Sequence, residues 1–303
     1  MPDEIKTNRK RVSYSQYSMY SKCPQQYYLN YIAGKRIYEA SLNMCFGTAI
    51  HHAIQEFITA LYTKGQVEAD SMDVYKLFKD KFKEETEKAK TKDGLTFTED
   101  EYKEFEYDGD DILNTFLATS NRIKHFPSNR YEFIGVELPL EMDIKYNVQF
   151  VAFVDLILKD KRSGKIKIFD FKTSSNGWNK WQLADTAKTD QVLLYKAFYS
   201  KKFNVPLSDI TVEFFILKRK LYEDVKYPQS RIQVFSPSHT KDSIISTLNE
   251  FTSFVESCFT EDGNFNVNGK FPKIAGKNYK NCKYCSHKNV NCFPTKKDQI
   301  IEE

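Results

Sequence analysis

Residues 147–173 read NVQFVAFVDLILKDKRSGKIKIFDFKT, and the class of the chain follows from their pattern. Two runs rich in β-branched and aromatic residues, 147–160 and 165–173, flank Lys-Arg-Ser-Gly, a good turn, which predicts neighbouring antiparallel strands. A strand points alternate residues to one face, so Asp170 and Lys172 project together while Phe169 and Phe171 face the other way. Asp155 lies among apolar residues in VAFVDLIL. A carboxylate there is costly unless it is paired or bound to a metal. Taken alone, Asp170-x-Lys172 reads first as a salt bridge on an exposed sheet face, with Asp155 in a polar network. Two carboxylates on adjacent strands can also share a hard cation such as Mg²⁺. A neighbouring lysine can then orient or deprotonate a water and offset charge at a phosphorus centre.

Outward from this hairpin, YEFIGVELPLEM (131–142) predicts a preceding strand, in which Glu137 is a further acidic candidate. Downstream, a helix over 186–201 is followed by strands at 211–220 and 231–236 and a helix over 243–259. Upstream, FGTAIHHAIQEFITALYTKG (46–65) carries an apolar stripe at Ile50, Ile54, Phe57, Ile58 and Leu61, with Gly65 as its stop. SYSQYSMYSKCPQQYYLNYIAG (13–34) predicts a helix capped by Ser13 or Ser15 and interrupted or restarted at Pro24. The class expected is α/β, a mixed central sheet flanked by helices.

The chain has 303 residues, a formal net charge of +4, 24 Phe, 19 Tyr and 2 Trp. That length allows one large domain or two ordinary ones, and the apolar content argues against disorder. The charge is uneven: 16 Asp/Glu stand against 8 Lys between Val67 and Asp111. This acidic stretch predicts a solvated helical pair, with Val74, Leu77, Phe78 and Phe82 on its apolar face. In the basic remainder Lys and Arg interleave with Tyr and Phe, which suits phosphate contacts alternating with base stacking. No run approaches the roughly 18 apolar residues of a spanning helix, and MPDEIKTNRKR lacks the apolar stretch of a secretory signal. Neither membrane insertion nor export is expected, which leaves the cytoplasm of a bacterium, or of a host cell for a phage-encoded protein.

Six cysteines without an export signal do not predict a disulfide framework. Cys282-x-x-Cys285 is a chelating step, and Cys292 is near enough to add a third thiolate. The fourth ligand is open: His287 would complete a local zinc site, or Cys23 could approach from the N-terminal helix. Cys45 and Cys258 read as buried thiols.

Asp155 followed by Asp170-Phe171-Lys172 resembles the core of the PD-(D/E)XK nuclease superfamily, and within it the RecB-like branch. That branch includes the nuclease domains of RecB and AddB and the CRISPR adaptation nucleases. Gly47-Thr48-Ala49-Ile50-His51 is similar to the branch's G-T-x-x-H helix, Gln191 and Tyr195 to its Q-x-x-x-Y helix, and Ser13, Tyr20, Cys23 and Pro24 to its S-x-x-x-Y-x-x-C-P signature. The matches occur in family order. The resemblance implies a restriction-endonuclease-like core in a single domain over 1–303, with a helical insertion at 66–126 that is acidic in its first part. A cysteine-cluster tail at 261–303 would pack on the N-terminal helix.

The same resemblance implies a metal-dependent deoxyribonuclease, an exonuclease on single-stranded DNA or frayed ends, in recombination, repair or phage DNA processing. His51, Asp155, Asp170 and the Phe171 carbonyl would hold Mg²⁺ or Mn²⁺, Lys172 would activate water, and Gln191 and Tyr195 would place the strand. Cys23, Cys282, Cys285 and Cys292 would hold a structural [4Fe–4S] cluster, with structural Zn²⁺ as the alternative. A non-catalytic nucleic-acid-binding or scaffold subunit is the competing class, and the intact His51, Asp155, Asp170 and Lys172 set argues against it. The chain has no G-x-x-x-x-G-K-[ST] motif, so opening a duplex would fall to a partner, a helicase or a recombination protein.

Overall fold

The computed structural model describes residues 9–299. A short strand β1 (Lys10–Val12) leads into α1 (Tyr14–Lys22), capped by the Ser13 hydroxyl, which accepts from Gln16 N–H. Pro24 restarts the helix as α2 (Pro24–Tyr27), since a first-turn proline has no needed N–H to lose, and the chain runs on through one π-helical turn, Tyr28–Ile32. Helix α3 (Leu42–Thr63) is capped by Ser41 and buries Ala49, Ile50, Ala53, Ile54, Phe57, Ile58 and Leu61. It ends at Lys64. Gly65, at φ +95°, instead opens α4 (Gln66–Ser71), a backbone angle that suits glycine.

Helix α5 (Val74–Asp93) is capped by Asp73 and stopped by left-handed Gly94, and α6 (Glu99–Leu117) opens with a Thr98–Glu101 capping box. Helix α7 (Thr119–His125) leads to three strands, β2 (Tyr131–Asp143), β3 (Val148–Asp160) and β4 (Ile166–Ser174). Then come α8 (Lys180–Leu183), α9 (Thr186–Phe203), β5 (Ile210–Lys218), β6 (Ile232–Phe235) and α10 (Lys241–Cys258). None of the described helices is long and apolar enough to cross a membrane.

The chain divides into two compact units. The larger comprises Glu39–Leu138 and Phe153–Ser238. Its sheet is mixed: β3 and β4 pair antiparallel from Leu156 with Phe169 to Lys159 with Ile166. Strands β4 and β5 run parallel along their whole lengths, Ile166 with Ile210 through Ser174 with Lys218, as a crossover through α9 requires. Strand β6 closes this side antiparallel to β5. Helices α3 and α9 flank the sheet. The acidic helices have the solvated face that their charges predict, with Lys81 and Lys88 paired to Glu84 and Glu85. Their other face is core, where the rings of Phe78, Phe82 and Phe105 meet Phe46 of α3 at 5.7, 6.1 and 5.4 Å.

The smaller unit gathers Met1–Tyr38, Pro139–Ala152 and His239–Glu303. Strand β1 lies parallel to the first residues of β3, Lys10 with Val148 through Val12 with Phe150. Its core is aromatic: Tyr17, Tyr20 and Tyr27 pack on Phe251 and Phe254 of α10 at centroid distances of 5.1 to 5.8 Å. The tail beyond α10 has little regular structure and is tied to the N-terminal helices through Gln25 N–H to the Pro272 carbonyl and Asn281 Nδ2 to the Lys22 carbonyl.

Candidate active site and cysteine cavity

One step beyond the last paired rung of the β3–β4 ladder, Leu156 with Phe169, stand Asp155 and Asp170. Asp155 Oδ2 accepts the Phe171 N–H at 2.6 Å, so at this point a side chain replaces the ladder. Its other oxygen, Oδ1, lies 3.6 Å from His51 Nδ1. Helix α3 can bring that histidine in because Gly47 has no side chain. A Cβ at Gly47 would come 3.1 Å from Thr173 Oγ1 on β4, and His51 follows one turn later.

Asp170 is only 3% exposed. Lys172 Nζ lies 2.6 Å from its Oδ2, an ion pair on a carboxylate otherwise shut off from water. Burial raises the Asp170 carboxyl to about 6; Lys172 opposes the rise and Asp155 adds to it. On α9, Gln191 Nε2 donates to Tyr195 Oη at 2.7 Å. Tyr195 is buried, and that burial, reinforced by Asp170, pushes its phenol far above the ordinary value.

The larger unit thus brings His51, Asp155, Asp170 and Lys172 together, with Gln191 and Tyr195 beside them. Of Phe171 it is the amide that is fixed, by Asp155. Two further residues join that the motifs did not single out. Gln55 Nε2 donates to Glu137 Oε1 at 2.7 Å and to the Asp155 carbonyl at 3.4 Å. It lies four residues after His51, on the same helix face, which was the available signal. Lys188, three residues before Gln191, is half-buried. Burial lowers its ammonium, Asp185 opposes this, and the like charge of Lys172 lowers it further. Glu137 itself sits at φ +47° in β2, an uncommon backbone for a residue with a side chain.

In the smaller unit, Cys23, Cys282, Cys285 and Cys292 all line one cavity of about 20 Å³. All six cysteines are free thiols. Burial raises the thiols of Cys282 and Cys292, and each is raised further by the other cysteines of the group. Cys23 Sγ accepts the Ile274 N–H at 3.4 Å. His287 lines the same cavity and is 1% exposed, with Nδ1 at 3.2 Å from Asn291 Nδ2 and Nε2 without a partner. Cys45 and Cys258 are buried elsewhere, as expected.

Among the described residues, no three or more His, Cys, Asp or Glu side chains stand close enough together to hold a metal ion as they are placed. The chemistry of both sets nevertheless suits a bound group. The buried Asp170 carboxylate beside Asp155 and His51 is a hard donor set, and four thiols walling one small cavity are a soft one.

A model of the PD-(D/E)XK nuclease superfamily matches residues 11–291. Among solved structures, the chain is similar to a Eubacterium rectale protein provisionally named an exonuclease. The identity is 13%, the TM-score 0.48, and the match covers 81% of this chain and 79% of that one. It is also similar to the protein SSO0001, at 14% identity and a TM-score of 0.36 over 95% of this chain and 87% of that one. No curated protein sequence matches.

Proposed function

The chain belongs to the PD-(D/E)XK nuclease superfamily, and from that premise we propose that it is a metal-dependent deoxyribonuclease of the RecB-like branch, an exonuclease on single-stranded DNA or DNA ends. The observation that carries this reading is the meeting of Asp155, Asp170 and Lys172 at the open end of the β3–β4 ladder, with His51 beside them. His51, Asp155, Asp170 and the Phe171 carbonyl would hold Mg²⁺ or Mn²⁺. When bound, such an ion offsets charge on the phosphodiester and makes water a better nucleophile.

The protein's own part is positioning. Lys172, ion-paired to Asp170, presents an ammonium that orients the attacking water and offsets charge developing at phosphorus. Phe171 N–H fixes Asp155, and Gln55 ties the Asp155 backbone to Glu137, so the carboxylates are held before substrate arrives. The Gln191–Tyr195 pair would contact the strand beyond the scissile bond. On this reading residues 1–303 form one nuclease domain with a helical insertion over 66–126 and the cysteine tail over 261–303. It acts in the cytoplasm on ends that a helicase or recombination protein exposes.

Cys23, Cys282, Cys285 and Cys292 would hold a [4Fe–4S] cluster in a structural role. One observation favours zinc instead: His287 shares the cavity with a partnerless Nε2, which gives a Cys₃His set without Cys23. Anaerobic purification separates the two, since a cluster brings iron, sulfide and broad visible absorption, whereas zinc leaves the protein colourless.

End-labelled single-stranded DNA with Mn²⁺ tests the activity. Wild type is expected to release label from linear strands and to leave an internally labelled circular strand intact, while Asp170→Ala and Lys172→Ala release none. Equal degradation by all three proteins, or none by wild type, would refute the catalytic assignment.

A further inference from the structure

Both tryptophans of the chain lie on the segment that leaves the candidate site, Trp178 in the loop after β4 and Trp181 in the single turn of α8. Trp181 is 74% exposed. On a floppy loop such a ring would be of little use for binding, because ordering it would consume the gain. This loop is pinned at each turn. Ser174 Oγ donates to the Gly177 carbonyl at 3.1 Å. Gln233 of β6 clasps Trp178, accepting its N–H at 2.8 Å and donating to its carbonyl at 2.9 Å. Gly177, at φ +87°, allows that clasp, since a Cβ there would sit 2.6 Å from Gln233 Oε1. The Trp178 ring rests on Phe214 at 4.9 Å. Asn179 Oδ1 then accepts the Trp181 and Gln182 N–H groups, both at 3.0 Å. The backbone of Trp181 is fixed while its ring stands in solvent.

Cations stand against both rings, one from the same segment and one from α9. Lys188 Nζ stands 4.5 Å from the Trp178 ring and is near enough to Lys172 for the two charges to interact. Lys180 Nζ stands 4.9 Å from the Trp181 ring. Each of the two rings is thus paired with a cation, a combination that a strand of alternating phosphates and unpaired bases complements.

We propose that Trp181 is a stacking platform for an unpaired base of a single-stranded nucleic acid, with Lys180 and Lys188 taking the flanking phosphates. The proposal rests on the nuclease reading above and adds to it a specificity: inside a duplex both faces of each base are already stacked, so the face of Trp181 favours an unstacked base of a single strand over the interior of a duplex.

Binding without cleavage tests it. Fluorescence anisotropy in EDTA compares a labelled single-stranded oligodeoxynucleotide with an abasic strand of the same length, using wild type, Trp181→Ala and Trp181→Phe. Trp181→Ala is expected to lose about fivefold to a hundredfold affinity for the base-bearing strand, and Trp181→Phe less. All three proteins should bind the abasic strand alike. Unchanged affinity of Trp181→Ala for the base-bearing strand, an equal loss on both strands, or no binding by wild type would each overturn the proposal. Circular dichroism confirms that the exposed substitutions leave the fold intact. Because EDTA removes catalysis from the readout, a failure of the nuclease reading shows itself separately, in the Asp170→Ala cleavage assay.

Discussion

Asp170 sits almost out of water in the one place where the proposed chemistry needs a negative charge. Its folded-state pKa of about 6 lies above the roughly 3.9 of an unfolded aspartate. The stability that this group contributes is therefore complete below about pH 4 and is lost as the pH rises through 6. In metal-free protein, Asp170→Asn is expected to raise stability at pH 8 by up to about 3 kcal/mol and to leave stability at pH 4 unchanged, and with Mn²⁺ present the same substitution is expected to abolish cleavage. Thermal melts in EDTA at the two pH values check this. Equal melting temperatures at pH 8 would show that Lys172 cancels the burial cost and that the carboxylate stores no strain for the reaction. That Asp170 and Lys172 share a face was legible from strand alternation, and that Asp155 is a costly carboxylate from its apolar neighbours; reading the three as one set took the family resemblance. Gln55 and Lys188 were not, because their contacts depend on how α3 and α9 are turned against the sheet, which no spacing along the chain specifies.

Elements meet closely at two glycines, and each has a structural consequence. Gly47 lets α3 come near β4 and so delivers His51. Gly109, inside α6, does the same for α5: a Cβ there would lie 2.2 Å from the ring of Phe78, which is fully buried. Alanine normally favours a helix over glycine by about 1 kcal/mol. Here overpacking of about 1–3 kcal/mol opposes that gain, because the ring has no free space to enter. Gly109→Ala is expected to destabilise the protein, and Phe78→Leu in the Gly109→Ala background to recover part of the loss. A double-mutant cycle of denaturant midpoints reads the coupling, and additive effects would mean that the two helices separate without cost. The acidic helices themselves were legible from Val74, Phe78 and Phe82. Their depth in the core was not, because 16 acidic residues between Val67 and Asp111 advertise the solvated face and conceal the ring contacts with Phe46.

Over the whole chain, the boundaries between the two units fall inside β2 and β3, between Leu138 and Pro139 and between Ala152 and Phe153. In β2 the boundary coincides with Pro139, a residue that interrupts strand pairing, whereas β3 keeps one continuous pattern and nothing in the sequence marks the boundary there. Strands β2 to β6 and helix α9 were legible from local periodicity, whereas β1, only three residues long, carries no period to read. The smaller unit has the thinner means of staying folded. It is gathered from three chain segments, its packing is an aromatic cluster between α1, α2 and α10, and its tail from Phe259 to Gln299 has only short helical turns. Four thiols drawn from residues 23 and 282–292 around one cavity would supply what this core lacks, since a group that binds the folded form adds its binding free energy to folding. Loss of the group, through Cys285→Ser or through chelation, is therefore expected to raise amide hydrogen exchange across 14–33 and 273–292. The amides of α3, β4 and β5 should keep their protection, because their core of Phe57, Phe169, Phe171 and Phe215 contains none of these thiols. Exchange that rises equally across both units would make the bound group a requirement of the whole fold. Exchange that does not change would deny it any structural role.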